Sequence, residues 1–216
     1  MTDSATLTSP EIWANIDERL RSGDEDRWLS SRYAAKPERH ALIALYALAY
    51  ELAKVRLVVS EPALGAIRFQ WWRDALEELE MGKTPRAHEV VGAVADMLAE
   101  GRYSVDTLQD LVDRFEDAFG DEDRGQQPET LLAQTAASVL DSAHDWQANI
   151  ADLAPRVAAL RRGETAGDIA SMPKMPSTLR PALAHFRLRR LYVRRGRPGN
   201  LAKRLCVMRA IMSGRV

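Results

Sequence analysis

The sequence predicts an all-α protein. Ala, Leu, Arg and Glu are abundant and β-branched runs are few, which favours helix over strand. Apolar residues recur at three- and four-residue spacing, and no stretch alternates as a half-buried strand requires. Gly and Pro stand where the periodic stretches stop or start, as helix terminators and first-turn residues do. At 216 residues the chain is long enough for a single domain with a substantial core.

The elements follow in order. Ser9 caps and Pro10 opens a first helix, whose Ile12, Ile16 and Leu20 share a face and which Gly23 stops. A second helix is expected from Pro37 to about Val59, with Leu42, Leu45, Tyr46, Ala49, Ala53 and Leu57 on one broad face. A third runs from Pro62 to Met81 and ends at Gly82; a fourth from about His88 to Glu100 ends at Gly101. Ser104 caps a fifth, reaching about Phe119, and GDEDRGQQP, Gly120 to Pro128, reads as a polar loop. Glu129 to about Trp146 is expected to be helical, with a shorter helix on to Arg162. Gly163 to Pro176 has no clear period and reads as a connector. Two basic helices follow, about Thr178 to Arg195 and Pro198 to Met212. The short loops of the first half predict antiparallel neighbouring helices.

Charge is unevenly distributed. Ser177 to Val216 holds 11 of the 30 Lys plus Arg residues and no Asp or Glu, leaving 19 basic against all 31 acidic residues in 1–176. Such a tail suits packing on its own acidic body, an anionic partner or a membrane surface. Arg187, Arg190 and Arg194 would share one helix face, with Leu183, Phe186 and Leu191 on another. No nucleic-acid reader motif or aromatic interleaving accompanies the basic residues, so nucleic acid is not expected as a partner. Cys206 is the sole cysteine, which excludes an internal disulfide and fits a reducing compartment. No apolar run approaches the ~20 residues of a membrane span. The first residues, MTDSATLTSP, resemble neither a signal nor a transit peptide. The chain is read as cytoplasmic, with peripheral contact at an inner membrane as an additional role for the tail.

Common catalytic signatures are missing: there is no P-loop, nucleophile elbow, H-E-x-x-H or paired C-x-x-C. His40, His88, His144 and His185 are scattered and read as solvated or core residues. Asp113 and Asp117 are spaced so that one helix face could offer both carboxylates to a hard cation. Arg114 between them and the missing calcium-loop spacing at Asp121-Glu122-Asp123 favour a solvated acidic face, so no metal site is assigned.

The stretch from Asp26 to Leu98 carries more information. It contains LYAL (Leu45 to Leu48), ELAKVR (Glu51 to Arg56) and SEPALGAIRFQWWRDAL (Ser60 to Leu76), with Pro85 to Val91 after them. In order and spacing these pieces resemble the squalene/phytoene synthase family, and within it the branch related to a complex I assembly factor. PSTLRPALAHFRLRRLYVRRGRPGNLAKRLCVMRA resembles the basic closing helices of that branch more weakly. The resemblance implies an isoprenoid-synthase-like helical bundle. Active members condense two prenyl diphosphates, using aspartates four apart on facing helices to hold Mg²⁺ against the leaving diphosphate. Here the first aspartate positions are occupied by Ala53 and Leu57, with Lys54 and Arg56 nearby, and the second motif has no counterpart. The region after Leu140 is also short, so the bundle is expected to be shortened in the middle.

The resemblance therefore implies a protein without catalytic residues or a cofactor, acting by contact with a complex I subunit or assembly intermediate. The alternative is a prenyl-diphosphate transferase or binder, and Mg²⁺ enters only with that alternative. Arg56, Glu61, Arg68, Gln70, Trp71, Trp72 and Arg73 are the candidate interaction or ligand-binding residues. Trp71 and Trp72 are about 100° apart on a helix. Either one fills the core while its neighbour covers a flank, or one anchors a partner, as Trp and Arg often do. Arg56, Glu61 and Arg68 have a further option, buried ion pairs between their helices.

Overall fold

The computed structural model describes residues 8–59, 61–120, 128–166, 172–195 and 198–216. Among them every regular element is helical: α1 (Pro10–Gly23), α2 (Glu25–Ser31), α3 (Lys36–Val58), α4 (Pro62–Glu80), α5 (Glu89–Ala99), α6 (Val105–Gly120), α7 (Glu129–Leu140), α8 (Gln147–Arg162), α9 (Arg180–Leu183), a 3₁₀ turn (Ala184–Leu188), α10 (Arg189–Arg195) and α11 (Asn200–Ser213). Contacts divide the chain into two compact units, 1–23 with 43–128, and 24–42 with 129–216. The chain passes from one to the other within α3.

In the first unit α4 packs on α5 and α6, and α1 packs on α5. Its core is Ile16 and Leu20 of α1, Leu45, Tyr46, Leu48 and Leu52 of α3, Phe69 and Leu76 of α4, Val94 and Met97 of α5, and Leu108 and Leu111 of α6. Gly65 lets α6 come close: a Cβ there would overlap the Phe119 ring. That ring meets Phe69 edge-on at 5.8 Å. Gly82 and Gly101 end α4 and α5 at φ of +70° and +66°, a left-handed conformation that glycine adopts without a Cβ clash. The predicted polar loop at 121–127 lies outside the described residues.

The second unit joins α2, α7, α8 and the closing helices around Leu29, Leu132, Ile150, Leu153, Leu183, Phe186, Leu188 and Val207. Three features here differ from the sequence expectation. Helix α2 was not foreseen, although Asp24 caps it and Glu25 and Asp26 fill its first turn, each favourable at a helix start. The helix expected to reach Trp146 stops at Leu140. There Asp141 accepts the Ala143 N–H at 3.2 Å and His144 Nδ1 accepts that of Trp146 at 3.1 Å, local bonds that compete with helical ones.

The single basic helix expected over 178–195 is broken into α9, the 3₁₀ turn and α10. Three residues per turn instead of 3.6 adds roughly 20° per residue, on the order of 100° over five residues. The register between Arg187 and the pair Arg190 and Arg194 is therefore not that of one continuous helix, yet Arg187 and Arg190 remain neighbours. Leu183 and Phe186 are buried, whereas Leu191 is only half-buried. Arg187 donates to the Arg215 carbonyl at 2.6 Å, Arg190 lies 3.5 Å from the oxygen of the next residue, Val216, and Arg194 is exposed. Of the expected connector, 167–171 lies outside the described residues, while Met175 is buried and its N–H donates to the Gly214 carbonyl at 2.7 Å.

Candidate functional site

The first unit contains a cleft of about 400 Å³ lined by Glu51, Lys54, Val55 and Val58 of α3, Arg68, Trp71 and Trp72 of α4, and His88 at the start of α5. The α3 residues are spaced i, i+3, i+4 and i+7, one face of a helix. Trp72 is buried and Trp71 half-exposed. Although they leave the helix about 100° apart, their rings meet edge-on at 5.0 Å, and both lie against the His88 ring, at 5.7 Å from Trp71 and 5.1 Å from Trp72. Arg86 covers Trp71 from the other side, its guanidinium 5.1 Å from the ring centroid. It is held there by Glu78 at 2.7 Å and by the Trp71 carbonyl at 3.2 Å.

His88 is tied to the backbone it caps: Nδ1 accepts the Val90 N–H at 3.3 Å. Burial lowers its pKa, against the pull of Glu51. The neutral ring therefore carries its proton on Nε2. Glu51 is the sole carboxylate of the lining, and it is already engaged by Lys54 at 2.9 Å and Arg19 at 3.5 Å. Arg19 also binds Glu89 at 2.6 Å.

Sequence reasoning reached Arg68, Trp71 and Trp72 but placed four other candidates with them that lie elsewhere. Gln70 is exposed and bonds to Asp74 at 2.7 Å one turn on. Arg73 turns to α6, reaching Asp113 at 2.6 Å and Glu116. Asp113, considered above for a cation, thus faces a guanidinium. Arg56, Glu61 and Arg68 are all exposed, so any ion pair they make lies at the surface and not buried between their helices. Ala53 is half-buried and Leu57 is 82% exposed, and neither lines the cleft. His88 was missed as a lining residue because its contact with the tryptophans joins positions 16 or more apart, which periodicity does not register.

A Mg²⁺ ion of the kind family chemistry uses does not fit this lining. A hard divalent cation needs several free oxygen ligands, and Glu51 is shared between two cations. Among the described residues no group of three or more His, Cys, Asp and Glu could hold a metal. The cleft can accept an apolar or aromatic group against Val55, Val58 and Trp71, with Lys54 and Arg68 offering positive charge. Its surroundings are apolar too: Leu57, Val58, Leu64 and Ile67 are exposed. Leu64, Ile67, Arg68 and Trp71 follow one face of α4 by their spacing.

The profile of the squalene/phytoene synthase family matches residues 20–133, more than half of the chain. The chain belongs to the squalene/phytoene synthase family. Its helices are accordingly those of an all-α, isoprenoid-synthase-like fold. Over 84 residues the chain is 31% identical to the human (Homo sapiens) protein NADH dehydrogenase (ubiquinone) complex I, assembly factor 6. That match covers 38% of this chain and 25% of the human protein, so the chain spans about a quarter of the length of the relative it matches. No solved structure matches the chain.

The second unit of this family member holds a different cluster. Asp24, 5% exposed, accepts from Arg27 at 2.5 Å and lies 2.9 Å from Arg161. Burial raises its carboxyl, but Arg161 and Arg27 together outweigh that and hold it far below the ordinary carboxylate range. Arg27 also pairs with Glu129, Lys203 lies between Glu25 at 3.0 Å and Asp26 at 2.9 Å, and Tyr192 donates to Asp26. His185 is buried beside this network, and burial followed by the Arg27 charge pushes its pKa down to about 3. Its geometry is that of a brace joining α2 to α7, α8 and the closing helices.

Proposed function

We propose that this chain acts by protein contact in the assembly of respiratory complex I, using the cleft and its apolar rim, and that it condenses no prenyl diphosphates. The observation that carries this reading is the cleft lining: one carboxylate, Glu51, already shared by Lys54 and Arg19, beside an exposed apolar face. Departure of a diphosphate needs metal to neutralise the charge that develops, and this lining supplies no ligand set for it. An apolar cleft with an aromatic wall, rimmed by Leu57, Leu64 and Ile67, suits capture of a partner's apolar side chain or helix face. The similarity to an assembly factor of complex I supports the choice of partner, a subunit or an assembly intermediate.

The test is NADH:quinone oxidoreductase activity in membranes of a strain lacking the gene. The intact gene should restore the activity, and an Ile67→Glu, Trp71→Ala version should not, while accumulating as folded protein. Trp72 is left in place because its burial makes it part of the core. Unchanged activity in the deletion strain, with no related gene to compensate, would sink the reading.

One observation favours a second reading, a binder of prenyl diphosphates: Lys54 and Arg68 stand beside Val55, Val58 and Trp71, a positive charge next to an apolar wall. Saturable binding of a prenyl diphosphate by the purified protein, weakened by Lys54→Gln with Arg68→Gln, would establish it over the first.

A further inference from the structure

Helix α11 turns its buried side, Val207 and Ala210, to the second unit, and Lys203 beside them binds Glu25 and Asp26. Its outer side is unusual. Leu201, Leu205, Met208 and Met212 are 72%, 51%, 41% and 75% exposed. Their spacing of four, three and four places all four within roughly 60° of arc, along a stripe of about 16 Å. Arg204 and Arg209, both exposed, flank the stripe on opposite sides. Val193 of α10 is also 69% exposed. An apolar stripe of this length on a soluble face marks a contact surface rather than scattered exposure.

The charge around the stripe has one sign. Residues 177–216 contain no Asp or Glu. The acidic residues of α2 are taken up by Lys203 on the buried side, whereas Arg204 and Arg209 form no ion pair among the described residues. Arg187 and Arg189 crowd the same region: burial lowers both guanidinium pKa values, and neighbouring arginines lower them further. Arg189 Nη1 is buried without a hydrogen-bond partner among the described residues. Arg204 and Arg209 thus flank the stripe with positive charge that an anionic surface would pair.

The geometry points to α11 as an interfacial helix that lies on an anionic membrane surface, its stripe of Leu201, Leu205, Met208 and Met212 in the headgroup–acyl boundary and Arg204 and Arg209 on the phosphates. A helix of this type binds by burying apolar area and gains from anionic lipid. The long arginine stems reach from an apolar stripe to a charged layer while keeping their heads hydrated. No described helix is long and apolar enough to cross a membrane, so the contact is with the surface.

The experiment is flotation of the full chain with vesicles of phosphatidylcholine alone, or of phosphatidylcholine mixed with phosphatidylglycerol. The protein should float with the mixed vesicles, weakly with the neutral ones, and less at high salt. Leu205→Ser with Met208→Ser should reduce partitioning by at least about tenfold. Arg204→Gln with Arg209→Gln should reduce it by about fivefold for each arginine removed. These side chains are exposed, and circular dichroism and thermal melts check that the variants stay folded. Three results would overturn the proposal: folded protein that does not float with anionic vesicles; variants that float as well as the intact chain; or a stripe that drives self-association in size-exclusion chromatography while vesicles remain unbound. The assay reads lipid binding alone, so its outcome is separate from that of the respiratory-chain test.

Discussion

In the first unit, Arg73 meets Asp113 and Glu116, and Arg86 meets Glu78, at the solvent-facing edges of an apolar core. In the second, the buried Asp24 meets Arg27, which is mostly covered, and Arg161, whose side chain is 35% exposed, with His185 and Asp26 beside it. The difference in surroundings sets what each charge does. An edge pair is screened by water and salt and contributes little. A buried pair has no solvent to fall back on, so each member becomes necessary once the other is present. The exposed apolar residues divide the same way: Leu64 and Ile67 share a face of α4 with the cleft residues Arg68 and Trp71 in the first unit, whereas Leu201, Leu205, Met208 and Met212 form a stripe along α11 in the second.

The sharpest way to break this contrast is Asp24→Ala. It removes the cap of α2 and takes the buried carboxylate from Arg161 and from Arg27, which keeps only Glu129, so urea unfolding should show a loss of about 3–5 kcal/mol. Asp24→Asn, which keeps a capping oxygen, should recover only part of it. Within the first unit, Trp72→Ala should cost about 3–5 kcal/mol as a core truncation. Trp71→Ala should cost markedly less, because its ring is half in solvent and its partners are the half-buried Arg86 and the cleft. Equal losses in thermal melts would mean that the two rings are not divided between core and surface.

His185 gives the second unit a pH dependence of the same sign as the one that the lowered pKa of His88 gives the first. Its folded pKa, about 3, lies below the ordinary histidine value of roughly 6.5. Between those values the unfolded chain binds a proton that the folded chain does not. Stability should therefore rise with pH across that window and level off above it, by on the order of a few kcal/mol. His185→Gln should flatten this rise in urea midpoints measured against pH. Asp24 acts on the acid side: its depressed pKa contributes stability present above about pH 4 and lost progressively as the solution becomes strongly acidic. The smallest effect belongs to Arg73→Ala, about 1 kcal/mol or less, and it should shrink further in high salt. A large, salt-insensitive loss there would show that the α4–α6 brace is not an edge pair.

The helices of the first unit were legible because each is set by local signals. Ser9-Pro10, Pro62, Gly82 and Gly101 mark ends within a residue or two of those observed, since caps and terminators act on the turn next to them. The second unit was read less well for the same reason. Asp24 was a readable cap that was passed over. The 3₁₀ turn at Ala184–Leu188 leaves no local mark, because it exists where Ala184, His185, Phe186 and Leu188 are all buried at once. Of the candidate site, Arg68, Trp71 and Trp72 were found from their own sequence, whereas Gln70 and Arg73 were misassigned because adjacency along a helix does not give adjacency in space.

By itself, then, the sequence determined the all-α class, the family, the ends of the early helices and the charge asymmetry of the tail. Each depends on composition, order or spacing within a few turns. Only the tertiary structure decided that Glu51 is shared between Arg19 and Lys54, that His88 closes the tryptophan wall, that the buried Asp24 is answered by Arg27 and Arg161, and that α11 leaves its apolar stripe uncovered. Those facts depend on which faces meet across long stretches of chain, and helical periodicity fixes a face without fixing what it meets.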